Sequence, residues 1–127
     1  QIGVDLVNAC INDLIVIGAD PLFFLDYVAT SSMDPDVVET VVVGIANACH
    51  DVGCALIGGE TSEMPGVFSG NNFDLSGFVV GAVESEQMLR PMENIKVGDS
   101  LIGVPSNGLH TNGYSLVRYV FGLSDNP

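Results

Sequence analysis

The sequence predicts an α/β fold. Apolar residues recur at helical spacing over residues 3–18 and again after Asp34. Between and after those stretches lie short apolar runs bounded by Gly, Asn and Pro, at residues 22–29, 54–57 and 74–83, which read as strands. Helix and strand signals therefore alternate, the pattern of a sheet covered by helices.

The first helix carries Val4, Val7, Ile11, Leu14 and Ile15 on its apolar face, and Gly18 is its expected stop. Asp5, Asn8 and Asn12 line up on the other side, with Asp13 about 100° further round. That stripe is rich in oxygen and free of Lys and Arg, so it is either a solvated acidic face or one turned toward a cation. Leu22-Phe-Phe-Leu-Asp-Tyr-Val-Ala29 reads as a strand buried on both faces. Asp26 inside it needs a partner to offset its desolvation, either backbone N–H groups or a ligand.

Asp34-Pro35 announces the second helix, with Asp as N-cap and Pro at the first helical position. Val38, Val41, Val42, Ile45, Cys49 and Val52 form its buried stripe, Gly53 ends it, and His50 suits the negative end of its dipole. The second strand, residues 54–57, runs into Gly58-Gly59-Glu60-Thr61-Ser62-Glu63-Met64-Pro65-Gly66. Its glycines allow close backbone approach, and carboxylates and hydroxyls follow at once. Such a stretch either holds a metal or a hydrogen-bonding substrate, or is a turn with solvated acids. After the third strand, residues 84–93 read as a linker. From Asn94 the pattern resets into a short strand at 101–104, a loop dense in Gly, Asn and hydroxyls at 105–113, and a helix from Tyr114. Strand, glycine-rich loop and helix N-terminus in that order can cradle a phosphate, although the loop is neither a Walker loop nor a GxGxxG fingerprint. No Ser-His-Asp spacing stands out.

The 127 residues suffice for one domain of ordinary size. The chain begins at Gln1 rather than Met and ends just past a helix, so it is expected to be a piece of a longer one. A net charge of −13, with only Arg90, Lys96 and Arg118 positive, argues against nucleic acid as partner. An anionic ligand would need metal ions, backbone N–H groups or basic residues from elsewhere. Cys10, Cys49 and Cys54 show no CxxC spacing, which disfavours zinc and suggests free thiols in a reducing cytoplasm. No apolar run approaches the roughly 18 residues of a membrane span.

Four stretches together resemble one family: Asp5-Leu-Val with Cys10-Ile-Asn-Asp-Leu14; Gly18-Ala-Asp-Pro-Leu-Phe-Phe-Leu-Asp-Tyr27; Gly58 to Gly66; and Gly108-Leu-His-Thr-Asn-Gly-Tyr-Ser-Leu-Val-Arg118. The family is phosphoribosylformylglycinamidine cyclo-ligase, also called AIR synthetase, of purine biosynthesis. The resemblance runs the length of the chain. Formylglycinamidine ribonucleotide synthetase, selenophosphate synthetase, thiamine-monophosphate kinase and the hydrogenase maturation enzyme share the Asn-Asp and Gly-Gly pattern more distantly. The Leu-Phe-Phe-Leu-Asp-Tyr and Glu-Met-Pro-Gly strings favour the cyclo-ligase.

The resemblance implies an ATP-dependent ligase. ATP phosphorylates the formyl amide oxygen of formylglycinamidine ribonucleotide, a nitrogen of the substrate attacks the activated carbon, and phosphate leaves. It implies ATP and Mg²⁺ as cofactors, with Asn12 and Asp13 near the magnesium or ATP phosphates. Asp13 and Glu60 are the implied catalytic and metal-binding carboxylates. Asp26, Gly58, Gly59 and Thr61 would make further nucleotide contacts. Ser106, Gly108, His110, Asn112 and Gly113 would hold the ribonucleotide phosphate. It further implies a mixed sheet with helices on one side, a partial ATP-binding and dimerisation domain at residues 1–93, the start of a C-terminal domain at 94–127, and a homodimer in the cytoplasm. The fragment alone is expected to be inactive and prone to associate. A sister ATP-using enzyme of the superfamily, or a non-enzymatic assembly module, are the competing readings.

Overall fold

The computed structural model describes residues 1–106 and 108–123. Helix α1 (Ile2–Ile15) forms on the expected periodicity and buries Gly3, Val7 and Ile11. Steps of four residues drift about 40° round a helix. By Ile15 the side chain has left the buried face, and it is 49% exposed. The chain turns out of the helix through Gly18, at φ +78°, with the Gly18 amide donating to the Ile15 carbonyl at 2.9 Å.

Helix α2 (Pro35–Asp51) opens on the predicted cap, Asp34 Oδ1 accepting from the amides of Asp36 (3.1 Å) and Val37 (3.4 Å). It buries Val41, Ile45, Ala48 and Cys49, and Val52 packs partly against them. Its end is tied by two backbone bonds, Cys54 N–H to the Cys49 carbonyl at 2.8 Å and Gly53 N–H to the His50 carbonyl at 3.1 Å.

The two helices cross at small residues. A Cβ on Gly3 would strike the Val41 carbonyl and stand 2.9 Å from the Ile45 amide, and one on Gly44 would lie 3.5 Å from the Gly3 Cα. Backbone therefore meets backbone where valine and isoleucine fill the rest of the interface.

Strands β1 (Asp20–Thr30), β2 (Ala55–Glu63) and β3 (Phe73–Ala82) form a three-stranded sheet in the order β2-β1-β3. β1 runs parallel to β2 and antiparallel to β3. The sheet is mixed, and the helices lie on one side of it. On that side Phe24 and the Cys10 sulfur fill the place a Cβ of Gly77 would take, and Leu14 fills that of Gly81. The core joins Val7, Ile11, Phe24, Val41, Ile45, Ala48, Cys49 and Cys54.

Three expectations about the strands change. β1 is not buried on both faces: helices cover only one, and Leu25 and Tyr27 on the other are half-buried. β2 does not stop at residue 57. It runs on through Glu63, because the 11-residue β1 supplies a pairing partner for every position from Gly58 onward. Residues 101–104 form no strand. A strand needs a ladder partner, none of the described residues pairs with them, and Leu101, Ile102 and Val104 stand exposed.

By its contacts the chain divides into Gln1–Asn94 and Ile95–Pro127. The first unit ends in the four-residue α3 (Pro91–Asn94), and the second holds α4 (Tyr114–Val120). No helix among the described residues is long and apolar enough to cross a membrane.

The glycine crossing has a measurable consequence. Gly3→Ala should lower stability by about 1–3 kcal/mol, since rigid backbone rather than a movable side chain opposes the new methyl. Urea unfolding followed by circular dichroism should show the lower midpoint.

Candidate functional site

The site is built by the register of β1 with β2. Phe24 pairs with Leu56, but Leu25 pairs with Gly58, so Ile57 is an extra residue bulged out of the ladder. Beyond it Asp26 faces Gly59, Tyr27 faces Glu60 and Val28 faces Thr61. Paired residues share a face of the sheet and alternate along it. Asp26, Gly59 and Thr61 therefore belong to the helix side with Phe24, whereas Glu60 and Gly58 belong to the open side with Tyr27 and Leu25.

Asp26 lies in a niche between glycines, opposite Gly59 on one neighbour and Gly77 on the other. A Cβ on Gly59 would collide with the Asp26 carboxylate and its carbonyl, so glycine there is a steric requirement. Burial pushes the Asp26 pKa above its ordinary value, partly opposed by a hydrogen bond from its own backbone. Its charge also reaches Cys49 at the end of α2.

Glu60 stands on the open face. There Leu25, Tyr27, Glu60, Asp74, Ser76 and Phe78, together with Asp26 and Gly59, line a shallow and mostly apolar hollow. The Tyr27 hydroxyl donates to the Met64 sulfur at 3.5 Å. At the last residue of β2, Glu63 Oε1 accepts from the Met33 amide at 3.1 Å and ties the end of the strand to the loop before α2. Tyr27, Asp74 and Ser76 were not singled out in the sequence. Asp74 and Ser76 had a signal in their alternation with Phe73 and Leu75 at the start of β3, whereas Tyr27 stands in an apolar run without one.

Asn12 and Asp13 are exposed on α1. α1 packs on the β3 side of the helix layer and α2 on the β2 side. The structure therefore brings Asp26, Gly58, Gly59, Glu60 and Thr61 together on one stretch of paired strand, but it does not bring Asp13 to Glu60. Those two carboxylates occupy opposite sides of the sheet. Among the described residues no group of three or more His, Cys, Asp or Glu side chains is placed to hold a metal ion. A second cavity, of about 150 Å³, lies between Val28, Val37, Val41 and Phe73, beside Asp34 and Asn71. None of the sequence-predicted site residues lines it.

In the second unit Ser106 Oγ donates to the Gly108 carbonyl at 3.0 Å and lies 3.3 Å from His110 Nε2. Gly113 takes φ +88° at the start of α4. The strand expected before this loop is absent among the described residues, and α4 has only seven residues. The strand-loop-helix phosphate cradle is thus not formed as expected. The loop keeps Gly108 and His110 each in contact with Ser106, with Asn112 exposed beyond them.

Two consequences follow for the Asp26 niche. Because its native pKa lies above the ordinary 3.8, the folded state holds this proton more tightly than the unfolded chain. The stabilisation is complete below that ordinary value and is lost as pH rises through the native one. Asp26→Asn should therefore raise the urea midpoint at pH 7, and the gain should vanish once the pH falls below 3.8. Gly59→Ala should cost about 1–3 kcal/mol at either pH, since it strikes the carbonyl as well as the carboxylate.

Comparison with known proteins gives this geometry a context. The hydrogenase maturation protein HypE in complex with ATP superimposes with a TM-score of 0.60 at 22% identity, over 69% of this chain and 26% of its own length. HypE of E. coli gives 0.57 at 21% identity, over 65% and 26%. Thiamine monophosphate kinase from Aquifex aeolicus gives 0.50 at 23% identity, over 70% and 29%. The chain thus spans under a third of the length of these proteins, and the likeness is one of fold. Residues 1–83 match the family described as AIR synthase related protein, N-terminal domain. With most of its length covered by that match, the chain belongs to the AIR synthase related family.

Proposed function

We propose that this chain is part of an ATP-dependent cyclo-ligase that closes the imidazole ring of aminoimidazole ribonucleotide from formylglycinamidine ribonucleotide. One observation carries the reading: the four motifs quoted above occur together and in order in a chain whose residues 1–83 match the AIR synthase related domain. HypE, which shares the fold, has been seen in complex with ATP, and that supports ATP as the phosphoryl donor.

The chemistry suits an acidic stretch of strand. An amide oxygen is a poor leaving group and phosphate a good one, so phosphorylating that oxygen opens the carbon to attack by a nitrogen of the same molecule. Glu60 and Thr61, with the open backbone at Gly58 and Gly59, are the residues we assign to nucleotide or substrate. Asp26 would support them from the helix side. Asn12 and Asp13 would form a second contact on α1, and Ser106, Gly108, His110, Asn112 and Gly113 would hold the ribonucleotide phosphate.

Asp13 and Glu60 do not make one donor set within a protomer. Magnesium is commonly held by one or two carboxylates plus substrate phosphates, and a carboxylate on the open face of β2 fits that mode. The cation would travel with ATP and screen the anionic partners from a chain of net charge −13. A homodimer in the cytoplasm completes the proposal.

A sister activity is the second reading, favoured by the fold shared with HypE and thiamine monophosphate kinase. The full-length protein should be supplied with ATP, Mg²⁺ and, in turn, formylglycinamidine ribonucleotide, thiamine monophosphate and selenide. Release of ADP and phosphate only with the first supports the cyclo-ligase. ATP use only with another favours the sister. Calorimetry showing no Mg²⁺-dependent nucleotide binding at all would leave an assembly module. In the active protein Glu60→Gln should lower kcat/KM by roughly 10²-fold or more, the scale of a lost transition-state contact.

A further inference from the structure

The end of α2 places two cysteines against each other. The Cys54 amide donates to the Cys49 carbonyl at 2.8 Å and the Gly53 amide to the His50 carbonyl at 3.1 Å, with Gly53 at φ +68°. This pair of bonds is the Schellman ending of a helix, in which the residues joined by the longer bond also meet through their side chains. Here both of those residues are cysteines. Their thiols lie within hydrogen-bond reach of each other, the neighbourhood from which a disulfide can close. Cys49 is 1% and Cys54 5% exposed, in one core cluster.

The thiols also influence each other. Burial and then Cys54 push Cys49 up to about 11. Burial raises Cys54 as well, but a hydrogen bond from Cys49 opposes the rise. Cys54 is therefore the thiol that ionises with help from its neighbour. The third cysteine is engaged elsewhere, Cys10 donating to the Gly77 carbonyl at 3.7 Å. No metal-binding group of three or more side chains includes them among the described residues.

We propose that Cys49 and Cys54 are a reversible redox pair that closes to an intrachain disulfide on reaction with a hydroperoxide, while Cys10 remains a thiol. The Cys54 thiolate attacks one peroxide oxygen, the O–O bond breaks, and the departing oxygen leaves as water or alcohol with the thiol proton. Cys49 then attacks the Cys54 sulfur of the sulfenic acid. An S–S bond forms, the S–O bond breaks, and hydroxide leaves as water with the Cys49 proton. Two thiols are oxidised by two electrons and the peroxide is reduced by two. Both sulfurs are buried, so the reaction waits on opening of the last turn of α2 and accelerates as pH rises toward thiolate formation. The bond would pin α2 to the residue preceding β2, the strand that carries Gly58 to Thr61.

The test needs no assumption about the reaction catalysed. Full-length protein is treated with hydrogen peroxide until the amides of the α2 C-terminal turn have exchanged with solvent, alkylated with iodoacetamide, digested and examined by mass spectrometry. The expected product is a Cys49–Cys54 cross-link lighter by two hydrogens, an alkylated Cys10, and return of Cys49 and Cys54 to alkylatable thiols after dithiothreitol. Cys10→Ser should keep the cross-link. A cross-link containing Cys10, or free Cys49 and Cys54 after that exposure, would overturn the proposal.

Discussion

The pairing of β1 with β2 beyond Ile57 decides which chemistry meets which surface. One extra residue in β2 shifts the alternation, and every later side chain takes its face from that shift. With the bulge, Gly59 lies under the helices beside Asp26, and Glu60 lies on the open face beside Tyr27. Without it, the glutamate would be driven beneath the helices and the glycine would open a gap in the outer face. Helix packing fixes the other side of the constraint, because Gly77 and Gly81 of β3 leave room for Phe24, Cys10 and Leu14. The strand carrying the candidate residues thus takes its register from β1, whose other neighbour β3 packs closely under the helices.

The same arrangement explains how so acidic a chain tolerates a carboxylate in its sheet. Burial shifts the ionisation of Asp26 upward, and it is seated where two neighbouring strands present no side chain. Desolvation is the cost of that seat, and half-burial keeps the cost moderate. Glu60 and Asp74 avoid it by standing at the open face. Acidic oxygen is therefore graded across the sheet, partly desolvated on the helix side and solvated on the other. An anionic ligand approaching the open face would meet uncompensated negative charge unless it brought its own cation.

Much of the fold was legible because its signals were local. Asp34-Pro35 names a helix start by chemistry that needs no tertiary partner, and Val41, Ile45 and Cys49 name its buried face. The mixed sheet with helices on one side came from the family resemblance, and the structure shows it. What was not legible depends on partners. The run of β2 through Gly58 to Glu63 looks like a turn by composition, and only the length of β1 makes it a strand. Residues 101–104 look like a strand by composition, and only the want of a partner among the described residues denies it. Ile15 fits the apolar period but falls off the face, since spacing by four drifts round the helix. The site suffered similarly: the glycine-acid motif was found, but Tyr27, Asp74 and Ser76 become neighbours only once three strands are aligned.

The separation of Asp13 from Glu60 bears directly on how the candidate residues divide. Both looked like parts of one cation site because both are oxygen-rich and lack basic neighbours. Within one protomer a sheet stands between them, and α1 sits over β3 while Glu60 is on β2, at the other edge. No rotamer spans that arrangement. The strand group around Glu60 and the helix-face group around Asp13 must then be judged separately. The first has the stronger physical case, since register, a required glycine and a neighbouring carboxylate with raised pKa all converge on one short stretch. The second rests on an exposed polar stripe, and a solvated helix face would look the same. The acidic composition is thus shared between a constrained strand and an unconstrained helix, and only the strand shows the structural expense that chemistry at a fixed position demands.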